Sequence, residues 1–202
     1  IMFALIESGS ITKYLNGNKG ITLGDTQYPR AIYTLWSAAE REAIGIYEVV
    51  FDDSNKKDEQ WYINTNQSFA FANDTVTATY GTATAKAHAD TNFTEEDEDN
   101  GLGTEGELAT RGLKYNLIQT VKAQAAGELA KTDWYITRNA EKSTAIPSAI
   151  TTHRDLVRSR QAAMETSITN ASDTPALETL YTYTTDSDGV QSRPLAEIPT
   201  LD

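Results

Sequence analysis

The stretch DWYITRNAEKSTAIPSAITTHRDLVR, Asp133 to Arg158, gathers apolar anchors, fixed-geometry residues and spaced charges more densely than any other window of the chain. Before it, Leu113, Leu117, Val121 and Leu129 recur at multiples of four, the spacing that puts side chains on one face of a helix. After it, Ile150, Val157, Met164 and Ile168 recur at sevens and fours, and Pro147 stands where a first helical turn tolerates a missing backbone donor. The pattern predicts a helix, a tight aromatic connection and a second helix. Each apolar stripe is narrow, so the pair buries a seam and leaves much of its surface polar. It reads as a docking element rather than a pocket.

Working outward, the chain has 202 residues, enough for one large domain or two small ones, and the pattern favours two. Apolar residues make up 39% and charged residues 23%; the first lies below the usual share of about 45–50%, so the core is modest. Lys and Arg total 17 against 29 Asp and Glu, and the net charge of −12 disfavours nucleic acid, whose binding rests on basic surface. The absence of cysteine removes disulfides, thiol catalysis and cysteine zinc sites, and two histidines cannot build a histidine metal cluster. No cofactor and no metal are therefore expected. The opening IMFALIESGSITKY has a short apolar lead and no basic region, so neither a signal peptide nor a membrane span is expected, and Met2 reads as the natural start.

In chain order, Met2 to Ile6 and Ile11 to Leu15 read as a hairpin around Glu7–Ser10. Asn16 to Gly20 are turn formers rather than a phosphate cradle. Thr34 to Ala43 reads as one short helix capped by Ser37 or Thr34, with Glu40 in capping-box reach of Ser37, Gly45 ending it, and Leu35, Trp36, Ala39 and Ala43 as its apolar face. Ile46 to Phe51, the alternation of Trp61 and Ile63 against Tyr62 and Asn64, Phe69 with Phe71, and Val76 to Tyr80 supply strands. The expected fold class is α+β: a β-rich module with one short helix over 2–80, a flexible acidic linker over 81–106, a helical hairpin over 107–171, and an extended tail over 172–202. Within the linker, the run Glu95 to Asp99 lacks the alternating ligands and fixed glycine of a calcium loop and reads as a solvated spacer. In the tail, Leu180 to Thr185 is β-prone and a DSDG turn follows it.

No chemical site stands out. The carboxylates cluster in turns and linker, where nothing pushes two pKa values apart. His88 lies in the linker, and His153 lies on the second helix beside Thr151, Thr152 and Asp155 without a strained nucleophile turn, so it reads as structural. No catalytic residue is assigned and no enzyme is expected. Arg154 and Arg158 are four apart on one helical face; they read either as a basic stripe or as arginines bound across an interface, with Asp133, Glu141 or a neighbouring chain as partners. Trp134 either plugs the helix junction or serves as a hot spot, and its replacement by alanine should then lower stability or assembly by about 2 kcal/mol or more. The interface candidates are Trp134, Tyr135, Arg138, Arg154 and Arg158.

The residues Asp133, Trp134, Tyr135, Ile136, Arg138 and Glu141, then Ile146, Pro147 and Ile150, then His153, Arg154, Val157 and Arg158 resemble a recurring C-terminal region of bacteriophage tail proteins. The opening MFALIESGSITKY and the segment around Ala43 to Val49 are similar to the N-terminal β module of small tail and tail-fibre-associated proteins. His153 stands where a tyrosine is commoner in that pattern. The resemblance covers about three quarters of the chain and implies a non-enzymatic virion protein, a baseplate or fibre-attachment subunit of the tail, made in the host cytoplasm. Its implied partners are other tail, baseplate or fibre proteins in a homo-oligomer or symmetric complex, with no nucleic acid and no membrane insertion. A rival role is a tail-fibre assembly chaperone absent from the mature virion. A third, an enzyme or carbohydrate-binding module built on Trp36, Trp61 and Trp134, would need those rings exposed in one groove.

Overall fold

A computed structural model describes residues 1–201 and shows a mixed α+β protein in two compact units, residues 1–84 and 85–202. The first unit is built on a five-stranded sheet. Strands β1 (Phe3–Glu7) and β2 (Ser10–Leu15) form the expected hairpin, turned by Ser8 and Gly9, both at positive φ as a tight two-residue turn requires. Short strands β3 (Ile21–Leu23) and β4 (Thr26–Tyr28) pair with each other. Helices α1 (Ile32–Leu35) and α2 (Ala38–Glu42) follow, then β5 (Ile46–Asp52), β6 (Tyr62–Ile63), β7 (Gln67–Ala72) and β8 (Thr75–Tyr80). The sheet order is β2-β1-β5-β8-β7; β5 and β8 are parallel and the other pairs antiparallel. The sheet curls until the Tyr14 ring on one edge strand meets Phe69 on the other, 4.8 Å between centroids.

Both faces of β1 are covered, which is why Phe3, Ala4 and Leu5 are all buried. Phe3, Leu5 and Ile46 point to a cluster with Ile21, Ile32 and Tyr33, while Ala4, Val49, Val76 and Ala78 pack on the opposite face. Arg41 is buried beside the first cluster, donating to the Trp36 carbonyl, 3.6 Å from Glu48, and lying over the Phe3 ring.

Where one helix over Thr34–Ala43 is expected, two short ones form, because Ser37 starts a new helix: its hydroxyl accepts from Glu40 N and the Glu40 carboxylate accepts from Ser37 N. Leu35 consequently lies 81% exposed rather than on an apolar face, while Trp36 packs against the core. Gly45 does end the segment, at φ +81°, where an added Cβ would fall 2.7 Å from the Ile6 carbonyl oxygen. The alternation expected around Trp61 is also absent: Trp61 and Tyr62 are both buried and Ile63 is exposed, since only two residues of that segment are strand.

The two-residue strand β9 (Thr84–Ala85) lies at the division between units. The segment 81–106, read as a linker, falls mostly in the second unit and carries its own elements: β10 (Thr91–Asn92), α3 (Glu95–Asp99) and, just beyond, β11 (Leu108–Thr110), which pairs with β10. Thr94 caps α3 through a box with Asp97. Asp90 binds Arg111 at 2.6 Å and accepts from Gly112 N at 2.8 Å, the second contact being the main cause that holds its carboxyl below the usual range.

The helical hairpin is present but has three helices. Helix α4 (Leu113–Ala130) and helix α6 (Ser148–Asn170) pack along one another, and α5 (Asp133–Lys142) replaces the tight connection. Lys114 at the start of α4 donates to Thr169 O near the end of α6, and Arg154 near the start of α6 donates to Leu129 O near the end of α4, so the two run antiparallel. Val121 and Ala125 face Ile150, Val157, Met164 and Ile168, all buried. The segment read as an extended tail opens instead with helix α7 (Thr174–Tyr181), because Asp173 accepts from Ala176 N and Pro175 occupies the first turn. A small hairpin, β12 (Thr184–Thr185) with β13 (Gln191–Ser192), closes around the DSDG turn.

Candidate functional site

The junction of α4, α5 and α6 is tied by one buried arginine. Arg154 Nη1 donates to Leu129 O (2.8 Å), Thr132 Oγ1 (2.7 Å) and Asp133 Oδ1 (2.9 Å), while the Thr132 hydroxyl donates to Leu129 O. The carbonyl of Leu129 lies in the last turn of α4, where it also accepts from Thr132 N at 3.1 Å, and a cation at a helix C-terminus is favourable. Arg154 thus fixes where α4 stops and where α5 departs. It is buried with its Nη1 engaged inside the chain, which removes it from the free surface.

One turn away, Glu128 accepts from Lys131 Nζ and from Leu201 N (2.8 Å), and lies 3.2 Å from His153 Nε2 at an angle that makes no hydrogen bond. The Lys131 hydrogen bond first, then the Leu201 amide, hold the Glu128 carboxyl below the usual glutamate range. His153 of α6 thus lies beside a carboxylate that joins the end of α4 to the segment at Leu201. Sequence reading missed Glu128; the signal was its place on the stripe Val121, Ala125, Glu128, where an acid at a core spacing needs a partner.

Helix α5 itself buries no residue. Trp134 is 51% exposed and Ile136 is exposed beside it, so Trp134 does not plug the junction. Spacings of three and four bring Trp134, Tyr135 and Arg138 together. The two rings are 3.9 Å apart, and the Arg138 guanidinium lies 4.5 Å from the Trp134 centroid and 5.4 Å from that of Tyr135. Arg138 Nε is enclosed by this stack without an acceptor, and among the described residues no carboxylate pairs with Arg138. The helix ends at Ser143 in the left-handed conformation, with Asn139 Nδ2 donating to Thr144 O (2.8 Å). Arg158 does not join the stack; it lies on α6, exposed and 3.3 Å from Asp155.

The arrangement is an exposed aromatic surface with one cation stacked on it, the composition found at interface hot spots. Among the described residues, no group of His, Asp and Glu is placed to hold a metal ion, and no helix is long and apolar enough to cross a membrane. Trp61 is buried in the sheet unit and Trp134 is exposed on α5. No protein family, curated protein or solved structure matches this chain.

Proposed function

We propose that this chain is a non-enzymatic structural subunit of a bacteriophage tail, acting at the baseplate or at a fibre attachment, and that α5 is a surface through which it joins its neighbours. The observation that carries the reading is the Trp134, Tyr135 and Arg138 stack on a helix with no buried residue. Tryptophan and tyrosine supply large contact area with few rotamers to freeze, and the stacked guanidinium adds a cation at the same surface. The resemblance of Asp133–Arg158 and of the N-terminal module to tail proteins supplies the setting, and a symmetric complex with other tail, baseplate or fibre proteins supplies the partners.

The test is quantitative mass spectrometry of gradient-purified particles. A fixed small copy number relative to the major tail protein supports the subunit role. Absence from particles, with the chain bound to a fibre protein in infected-cell lysate, overturns it in favour of an assembly chaperone.

A further inference from the structure

The first unit carries a groove of about 830 Å³ that no part of this function uses, a volume in the range of ligand sites. Its lining includes Lys13 and Leu15 of β2, Lys19 in the following loop, Ile21 of β3, and Tyr33. The register places Lys13 opposite Leu5 and Leu15 opposite Phe3, and residues directly opposite each other project from the same side of a sheet. Phe3, Leu5, Ile21 and Tyr33 form one cluster, so Lys13 and Leu15 share the face that holds Ile21 and Tyr33. Tyr14 turns to the other face and packs on Phe69 of β7, which closes the β2 edge to a further strand. The groove is therefore a side-chain site on one face. Two glycines draw its loop onto that face: an added Cβ would lie 3.3 Å from the Phe3 ring at Gly17, where φ is +65°, and 2.5 Å from the Tyr28 carbonyl oxygen at Gly20. Lys19 is carried between these two close approaches.

Three groups in this lining lack a partner. The chain carries a net charge of −12, yet the lining holds two lysines and no carboxylate, and among the described residues neither Lys13 nor Lys19 is ion-paired. Tyr33 is 7% exposed, with its ring 5.0 Å from that of Phe3, and its hydroxyl makes no hydrogen bond among the described residues. A hydroxyl so enclosed needs a hydrogen-bond partner, and the groove that Tyr33 lines is where one can reach it. We propose that this groove binds an acidic saccharide, a chain of uronate residues, with carboxylates on Lys13 and Lys19 and a sugar ring lying on Leu15 and Ile21. A pyranose ring presents C–H groups on its face and hydroxyls at its rim, so its face meets the apolar floor while its rim meets the Tyr33 hydroxyl and the side chains of Asn16 and Thr22. The carboxylates make charge-assisted contacts with the lysines on the same face. A neutral saccharide leaves both lysines unanswered, and a fatty acid leaves the polar rim unanswered. Lys13, Asn16, Lys19 and Thr22 are exposed, so the groove is open along one side and admits a residue within a longer chain. The proposal goes beyond the assembly reading and uses a surface separate from α5.

The experiment is NMR titration of the isotope-labelled full chain with trimers of galacturonate, glucuronate and mannuronate. The methyl-esterified trimers, which keep the rings without the charge, and a glutamate hexapeptide, which keeps the charge without the rings, serve as comparators. The expected result is amide shifts confined to the Lys13–Thr22 region and Tyr33 with at least one acidic trimer, weakened about tenfold or more by the K13A/K19A double variant and by added salt. Y33F removes the hydroxyl and keeps the buried ring, and should weaken binding about threefold or more. Both lysines are exposed and the Tyr33 hydroxyl has no partner in the chain, so these variants should melt as the parent does. W134A should bind the trimer unchanged; loss of binding there would place the contact on α5 and overturn the groove. No shifts with any acidic trimer at millimolar concentration, equal affinity for the esterified trimers or for the glutamate peptide, or parent-like affinity in K13A/K19A or in Y33F would each overturn the proposal. None of these outcomes bears on whether the chain is present in particles.

Discussion

Replacing Arg154 by alanine removes three acceptors' shared donor at the point where three helices meet. Asp133 is largely exposed and can return to water, and Leu129 O keeps the Thr132 amide and hydroxyl as donors, so the loss comes mainly from the buried Thr132 oxygen and a value of about 1–2 kcal/mol is expected for the second unit in chemical denaturation. Trp134→Ala should behave in the opposite way. The ring is half exposed on a helix that buries no residue, so stability should stay within about 0.5 kcal/mol while affinity for the partner falls by about 2 kcal/mol or more. Calorimetry of the melt, set beside a partner pull-down, separates the two. Glu128 gives a pH dependence. Its folded pKa lies below the ordinary value, so its contribution is present above the unfolded pKa and is lost as pH falls through the folded one. Melts taken from neutral to acid pH should show a smaller acid loss in E128Q than in the parent, with E128Q less stable at neutral pH; identical slopes would contradict the assignment.

At the scale of elements, the two long helices were legible because Val121, Ile150, Val157, Met164 and Ile168 are core residues at helical spacing, and spacing is what a sequence displays directly. The β1–β2 hairpin and the Ser37–Glu40 box were legible for the same reason: turn and cap chemistry is local. What failed was weighting. Leu180–Thr185 looks β-prone and is strand at Thr184–Thr185, but Asp173 followed by Pro175 is a helix start, and the cap prevailed over β-propensity through Tyr181. Thr94 and Asp97 form a box inside an acidic run whose charge suggested only a solvated chain. Asp133 to Lys142 read as a connection because it lacks a buried stripe; it is helical because its ends are fixed from outside, by Arg154 at one and by the left-handed Ser143 at the other. Arg154→Asp should therefore perturb α5, visible as lost Trp134 near-ultraviolet ellipticity. Unchanged ellipticity would show that α5 needs no such anchor.

At the scale of the molecule, each unit has its own core: Ile46 and Val76 in the first, Val157 and Ile168 in the second. Ile46→Ala and Ile168→Ala each create a cavity costing about 2–5 kcal/mol. Each should lower one of two calorimetric transitions and leave the other in place, whereas a single transition lowered by both would show that the units unfold together. The interface candidates illustrate the limit of sequence at this scale. Trp134, Tyr135 and Arg138 are adjacent on one helix, so the sequence could bring them together, but that Arg154 is consumed inside the chain and Arg158 is not depends on where α4 ends.

The most direct test of the assembly role is the copy number of this chain in purified phage particles assembled with the wild-type gene and with a W134A/R138A variant that melts normally. A fixed small number for the wild type and its loss from the variant particles is the predicted result. A wild-type chain missing from particles, or a variant incorporated at the wild-type level, would contradict it.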